Sequence, residues 1–162
     1  MGIILSAFKG CGKTYLKNVY GDKVKIADLT EEYSEGMDYD KLIDKTMSVV
    51  ADNDIVFVGC DTSTRNTLNE RNIDYDIFYP SIERKNEFLE NFVRKHESPN
   101  IIRELDRYFD EIVKSIDSEE ADCCYKHKLN NFGEFIGNSP VIMQYINSLQ
   151  NNNLNKKTNE QS

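Results

Sequence analysis

The sequence predicts an α/β protein in which helices cover both faces of a parallel sheet. Short apolar segments typical of buried strands, such as Ile3–Ser6 and Asp54–Cys60, alternate with segments in which apolar residues recur at helical spacing. The helical spacing extends furthest at Ile101–Ile116, where the apolar residues share one face. Because parallel strands need long crossover connections, this alternation predicts a parallel sheet of five strands.

The first strand leads directly into a glycine-containing loop that ends Gly12-Lys13-Thr14. A loop that wraps a phosphate needs successive backbone N–H groups pointing inward, and Gly10 and Gly12 permit that curvature. In such a loop the lysine binds the β- and γ-phosphates, and the threonine hydroxyl binds Mg²⁺. A glycine-rich turn without a ligand is the alternative, but the preceding strand and following helix favour a nucleoside triphosphate. The predicted nucleotide-binding residues are Lys9, Gly10, Cys11, Gly12, Lys13 and Thr14.

The loop and the alternating elements together predict the three-layer fold of P-loop NTPases. By analogy with nucleoside monophosphate kinases, we expect the strand order 2-3-1-4-5. We expect residues 1–149 to form one kinase-like domain, with a lid-like helical region at about 83–116. Residues 150–162 are rich in Asn, Lys and Gln, which predicts a disordered polar tail.

Ligands of open α/β sheets gather at the carboxyl ends of the strands, so the polar residues there are candidates for a site. Asp28, after the second strand, could hold Mg²⁺ through water or accept a proton, or it could be a turn residue. Asp61, after the third strand, could complete the magnesium shell or cap the next helix. Arg65 could clamp a phosphate with two hydrogen bonds or form a surface salt bridge.

Further candidates come from the helical second half and from the irregular segment after the second strand. A kinase needs cations to neutralise the transferring phosphoryl group, and we select Lys85 and Arg94 from the basic residues of the lid-like region. Most of those basic residues are expected to be solvated helix charges. Tyr33 and Tyr39 are the candidates for stacking on a substrate base. The aromatic residues at helical spacing between residues 83 and 116 are expected in the core instead.

Composition restricts the partners that the protein can have. A net charge of −8 argues against a surface that coats nucleic acid. No apolar run approaches the roughly 18 residues of a membrane span, and no signal peptide precedes the first strand. The four cysteines lack C-x-x-C spacing, which predicts a reduced, cytoplasmic protein without a zinc site. We expect a monomer or a homodimer.

The chain resembles the small P-loop proteins of bacteriophages and prophages that are described as adenylate-kinase-like or deoxynucleoside monophosphate kinase-like. The resemblance covers about residues 2–149. It rests on the loop S-A-F-K-G-C-G-K-T, the strand end at Asp28, the segment D-I-V-F-V-G-C-D-T-S-T-R, and I-F-Y-P followed by R-K-N-E-F-L-E-N-F-V-R-K. The chain departs from the family after the second strand, where it reads D-L-T-E rather than an acidic or serine-rich D-x-D or D-S segment.

The loop and the resemblance together imply transfer of a phosphoryl group from ATP, with Mg²⁺, to a nucleoside or deoxynucleoside monophosphate. In this reading Lys13 and the loop amides hold the donor phosphates, and Arg65 with the lid cations holds the acceptor phosphate. Thr14 and either Asp28 or Asp61 hold the metal ion. Two alternatives stay open: a nucleotide-binding or weakly hydrolysing regulatory module, and a small-molecule kinase with a non-nucleotide acceptor.

Overall fold

One sheet of five parallel strands organises the computed structural model, which describes residues 2–32 and 36–160. Its strand order, β2-β3-β1-β4-β5, confirms the order 2-3-1-4-5 expected from the sequence, and every neighbouring pair is parallel. The strands are β1 (Ile3–Ala7), β2 (Ile26–Asp28), β3 (Ile55–Val58), β4 (Tyr75–Pro80) and β5 (Cys124–Leu129).

Six helices in the described part of the chain cover the two faces of the sheet. They are α1 (Lys13–Tyr20), α2 (Tyr39–Asp52), α3 (Thr62–Glu70), α4 (Lys85–Arg94), α5 (Pro99–Asp117) and α6 (Pro140–Glu160). Right-handed crossovers, the rule for parallel strands, put α1 on one face and α2 to α5 on the other. Helix α6 returns to the α1 face, where the Tyr20 hydroxyl donates to Met143 Sδ at 3.2 Å. This is the three-layer α/β fold of P-loop proteins.

The central strands β1 and β3 set the position of the loop that follows β1. All four residues of β3 are buried, as expected for a parallel strand that is covered on both faces. They pair with β1 in the register Ile3↔Ile55 to Ser6↔Val58. Beyond this ladder, the Ser6 hydroxyl donates to the carbonyl of Gly59 at 2.9 Å. The carboxyl ends of β1 and β3 therefore lie side by side.

Three aromatic rings join the lid-like region to the sheet. Phe8, directly after β1, lies 5.9 Å from Phe88 of α4 and 5.2 Å from Phe109 of α5, centroid to centroid. Phe88 and Phe109 are themselves 5.9 Å apart, and all three pairs meet edge to face. Such pairs add about 0.5–1.5 kcal/mol beyond the area that they bury. Helices α4 and α5 are thus anchored in the core, as their apolar spacing predicts.

The carboxyl-terminal segment differs from the prediction of a disordered tail. Helix α6 continues through the predicted boundary to Glu160, although residues 151–160 are all exposed. Ile142 and Ile146 bury the first turns of this helix against the core. Because the costly step of helix formation is nucleation, an anchored helix extends readily into exposed polar residues.

Two matched substitutions test the aromatic contact between the sheet and α5. Phe109 is fully buried, whereas Phe132 is 86% exposed. We expect Phe109→Ala to lower the free energy of unfolding by about 3–5 kcal/mol through lost burial and a residual cavity. The same change at Phe132 should cost less than about 0.5 kcal/mol. Urea denaturation of both variants measures the difference, and equal losses would contradict this core assignment.

Candidate functional site

The loop after β1 has the backbone geometry that its glycines predict. Gly10 and Gly12 have φ values of +95° and +101°, in the left-handed region that favours glycine. Space is also limited, because a Cβ atom added to Gly10 would lie 2.7 Å from Cε1 of Phe92. A Cβ atom added to Gly12 would lie 3.2 Å from Cβ of Phe135. The loop backbone therefore passes between two aromatic side chains, and Gly10 is required on both grounds.

Most amides of this loop have no internal partner. Cys11 N donates to the carbonyl of Phe8 at 3.1 Å, and Leu16 N starts α1 by donating to the carbonyl of Gly12 at 3.1 Å. Among the described residues, no hydrogen-bond acceptor is found for the amides of Lys9, Gly10, Gly12, Lys13, Thr14 and Tyr15. Successive free N–H groups at the start of a helix bind phosphate groups in other proteins.

Cys11 contributes to the loop through its backbone rather than its thiol. Its side chain is fully buried, and Sγ lies 3.7 Å from the carbonyl of Phe78. Burial raises the pKa of this thiol far above its usual range, so the sulfur stays protonated and uncharged. The Cys11 carbonyl accepts from Ile136 N at 2.9 Å and so joins the loop to the segment after β5.

Lys13 and Asp28 meet beside the loop, together with Thr30. Lys13 Nζ donates to Thr30 Oγ1 at 2.6 Å and lies 3.4 Å from Asp28 Oδ2. Lys17 Nζ, one turn along α1, lies 3.3 Å from the same Asp28 oxygen. The other Asp28 oxygen accepts from both the amide (3.0 Å) and the hydroxyl (2.6 Å) of Thr30. Thr30 was not singled out in the sequence, although it stands only two residues after the strand-end carboxylate.

Opposing effects act on the Asp28 carboxyl. Burial is the largest and would raise its pKa. The hydrogen bonds from Thr30, the Lys13 charge and the Lys17 hydrogen bond together outweigh burial and hold the pKa below its ordinary value. Asp28 is therefore a carboxylate at neutral pH, and its position fixes the Lys13 ammonium group beside the loop.

The two predicted metal ligands have different surroundings. Thr14 is exposed at the start of α1, next to the free loop amides. Asp61 instead caps α3: its two oxygens accept from the Thr64 amide at 3.0 Å and the Thr64 hydroxyl at 2.7 Å. Within residues 2–32 and 36–160, no group of three or more His, Cys, Asp or Glu residues could hold a metal ion. Mg²⁺ at a triphosphate needs only one or two protein ligands besides phosphate and water, and Thr14 fits that role.

Arg65 lies in a buried polar network rather than at a free edge. Its side chain is 3% exposed, and Nε donates to the Cys60 carbonyl at 3.0 Å. One terminal nitrogen donates to Glu119 at 2.9 Å, and the other donates to Ser115 Oγ at 2.5 Å. Each guanidinium nitrogen thus has a protein partner. The arrangement joins the end of β3 to α5, and a phosphate clamp at Arg65 would require these bonds to break.

The selected lid cations lie away from the loop cavities. Lys85 Nζ pairs with Asp106 at 3.1 Å, and Arg94 is exposed; neither residue lines a cavity beside the loop. Lys95, another basic residue of the lid-like region, does line the cavity beside Gly10 and Gly12.

The two tyrosines that were candidates for stacking on a substrate base are only partly described. Tyr33 lies outside the described residues, and Tyr39 is the first residue of α2.

Two cavities adjoin the loop. The first, of about 410 Å³, lies beside Gly10 and Gly12 and is bounded by α4 and the segment after β5. Its lining includes Tyr15, Asn91, Lys95, Phe135 and Asn138. The second, of about 450 Å³, adjoins Phe8 and Lys9 at the start of the loop, with the end of β3 and helices α4 and α5 around it. Both volumes fall within the range of small-molecule sites.

Arg84 and Glu87 hold the wall of the first cavity in place. The Arg84 guanidinium donates to both Glu87 oxygens (2.8 and 2.7 Å) and to the carbonyls of Leu129 (3.1 Å) and Glu134 (2.7 Å). Its Cζ also lies 5.2 Å from the ring centroid of Phe135. The hydrogen bond from Arg84 is the largest effect on Glu87 and lowers its pKa. The segment after β5 was not singled out in the sequence, although its glycines follow a strand end.

Comparison of the sequence with models of protein families and with curated proteins finds no match. The class of the protein therefore rests on its own structure: an α/β fold of the P-loop type, with the glycine loop at the carboxyl end of β1. In the described part of the chain, no helix is both long enough and apolar enough to cross a membrane.

The lowered pKa of Asp28 predicts a pH-dependent contribution to stability. A carboxylate of this kind stabilises the folded state above its unfolded pKa of about 3.9, and the contribution is lost as the pH falls through the folded value. We expect Asp28→Asn to lower the free energy of unfolding by about 1 kcal/mol at pH 7. This difference from wild type should shrink below about pH 4. Urea denaturation of both proteins between pH 7 and pH 3 measures this difference in the free energy of unfolding. Thr30→Val, which removes one donor to Asp28, should show a smaller effect of the same sign, and a pH-independent difference would contradict the assignment.

The buried network predicts that Arg65 stabilises the fold. We expect Arg65→Met to lower the free energy of unfolding by about 3 kcal/mol, because it leaves the Glu119 carboxylate partly buried without its cationic partner. Arg71 provides the control: its pair with Asp44 is exposed, and Arg71→Met should cost less than about 1 kcal/mol. Thermal and urea unfolding compare the two variants. A negligible loss for Arg65→Met would return this residue to the candidates for phosphate binding.

Proposed function

We propose that the protein binds ATP with Mg²⁺ and transfers the terminal phosphoryl group to a small acceptor. The observation that carries this proposal is the row of free amides between Lys9 and Tyr15, next to the Lys13 ammonium group. Hydrogen-bond donors and a cation that are already in place are what phosphoryl transfer requires, since the chemistry depends on positioning and on neutralising charge.

The first cavity suits the donor nucleotide. It opens directly onto the backbone of Gly10 and Gly12, so a base placed there would have its phosphates along the free amides. Phe135 and Tyr15 supply aromatic surface, and the Asn91 amide and Lys95 ammonium supply polar groups. The Asn138 side chain is already hydrogen-bonded within the protein. It accepts from Phe135 N at 2.7 Å and donates to the Gly133 carbonyl at 3.1 Å.

Lys13 can contact phosphate without leaving its protein partners. An ammonium group has three donors, and Thr30 and Asp28 engage two of them. The remaining donor is available to a phosphate oxygen. Mg²⁺, bound through the Thr14 hydroxyl, would neutralise part of the phosphate charge. Asp28 therefore acts on the reaction by orienting Lys13 rather than by contacting the acceptor.

A nucleotide-binding or weakly hydrolysing module is the second candidate, and a specific observation favours it. Arg65 is fully engaged within the protein, and Lys85 and Arg94 line neither cavity. The cations that the sequence assigns to an acceptor phosphate are therefore not gathered at the loop. Both candidates require ATP binding, and they differ only in whether a second molecule accelerates release of ADP.

Calorimetry with Mg·ATP and an assay of ADP release test these two candidates. We expect Lys13→Ala to weaken ATP binding about 10- to 100-fold, the worth of a hydrogen bond between charged groups. Lys17→Ala is the matched control, because it also removes a lysine from Asp28 but lies outside the loop. Release of ADP that depends on an acceptor and is lost in Lys13→Ala would establish a kinase. ATP binding without such release would favour the binding module, and unchanged binding by Lys13→Ala would contradict both.

A further inference from the structure

The second cavity combines apolar walls with an acidic edge. Phe8, Phe92 and Leu105 are buried residues that face it, and Tyr108 adds a ring that is 39% exposed. Lys9 of the loop reaches over this wall, with Nζ 6.0 Å from the Phe92 ring centroid. A molecule in this cavity would therefore have one side against aromatic and aliphatic groups and one end at the phosphate loop.

The charges around the cavity disfavour an anion. Three carboxylates line it, from Asp61 at the end of β3 and from Glu104 and Glu111 on α5. The lining cations are Lys9 and Arg65, and Arg65 is buried and paired with Glu119. Lys9 is thus the one exposed cation among the described lining residues. A phosphate dianion would face three like charges with one available partner, and like charges placed together cost binding energy.

We propose that the acceptor is an uncharged ring compound of nucleoside size that carries a free hydroxyl group, and not a nucleoside monophosphate. This inference rests on the proposed phosphoryl transfer and specifies its substrate class. The hydroxyl oxygen forms a bond to the terminal phosphorus of ATP while the bond from that phosphorus to the bridging oxygen breaks. ADP leaves with the bond electrons, and the hydroxyl proton passes to solvent.

The apolar wall supplies the affinity in this proposal. A flat ring placed against Phe92 and Tyr108 would gain aromatic contacts besides its burial. The polar edge needs no cation, because a hydroxyl or a ring N–H can donate to a carboxylate, and a ring nitrogen can accept from a neutral hydroxyl. The Thr62 side chain and the three carboxylates provide such partners at the cavity edge.

A pair of fluorescent probes tests the charge preference independently of catalysis. N-phenyl-1-naphthylamine is uncharged, and 8-anilino-1-naphthalenesulfonate has the same rings with one added sulfonate. We expect the protein to bind the neutral probe at least about fivefold more tightly at low ionic strength, as the carboxylates repel the sulfonate. Ile112→Trp, which narrows the cavity, should weaken binding of both probes. Equal or tighter binding of the sulfonate, or binding of neither probe, would overturn the proposal.

Charge variants assign the preference to this cavity. In the double variant Glu104→Gln with Glu111→Gln, the ratio between the two affinities should fall towards one. The control is Glu70→Gln with Glu90→Gln, which changes the net charge equally at exposed positions that line neither cavity and should leave the ratio unchanged. Equal changes in the two double variants would mean that net charge, rather than the cavity, sets the preference, and would overturn the proposal.

The acceptor itself is tested by ADP release from Mg·ATP with matched pairs of nucleosides and their 5′-monophosphates. We expect release with at least one nucleoside and at least about tenfold less with its monophosphate. Faster release with the monophosphates would overturn the inference while supporting phosphoryl transfer. Failure of the wild-type protein to bind Mg·ATP would contradict the proposed function, and the probe measurements would still report the charge preference of the cavity.

Discussion

The tight passage of the loop backbone between two aromatic side chains is the constraint on which the site depends. Gly10 lies against Phe92 of α4, and Gly12 lies against Phe135 of the segment after β5. These contacts restrict side chains at both positions, and among the described residues the amides of Gly10 and Gly12 have no hydrogen-bond acceptor. Free donors that are fixed in the folded state carry no reorganisation cost when an anion binds, and this preorganisation is the main source of electrostatic stabilisation in enzymes.

Two buried arginines keep the surroundings of the loop fixed, and they work in the same way. Arg84 ties α4 to the segment after β5, and Arg65 ties the end of β3 to α5. Each is paired with a carboxylate, since a buried charge without a partner would be strongly unfavourable. Their guanidinium groups donate to the Cys60 carbonyl beyond β3, the Leu129 carbonyl at the end of β5 and the Glu134 carbonyl after it. Buried side-chain hydrogen bonds therefore hold walls of both cavities.

Local patterns predicted the fold and the loop, whereas long-range partners decided the rest of the site. A few neighbouring residues are enough to recognise the buried strand Ile55–Val58 and the glycine loop before Lys13. The strand order and the left-handed glycines could therefore be expected from the sequence. The pairing of Arg65 with Glu119 joins residues 54 positions apart, and nothing near Arg65 in the sequence indicates it. Thr30 and Phe135 were missed for a related reason, because their roles come from the neighbours that the fold supplies. The helix beyond residue 150 was missed because its composition is polar while its stability derives from the anchored turns before it.

The fold and the lining of the second cavity favour different acceptors. The difference arises because different residues determine the two features. In the proposed function the sheet order and the loop would determine how phosphates are held, and many proteins with different functions share one fold. In the proposed function, the choice of acceptor would depend on side chains that lie outside the motif, on α5 and at the end of β3. Here those side chains are apolar toward the cavity and acidic at its edge, and the arginine that lines the cavity is already paired with Glu119. A resemblance carried by the loop therefore supports ATP as the donor much more strongly than it supports a nucleotide as the acceptor. In the proposed reaction the acidic edge would also act by exclusion, since repulsion of phosphorylated molecules would keep the product from rebinding as a substrate.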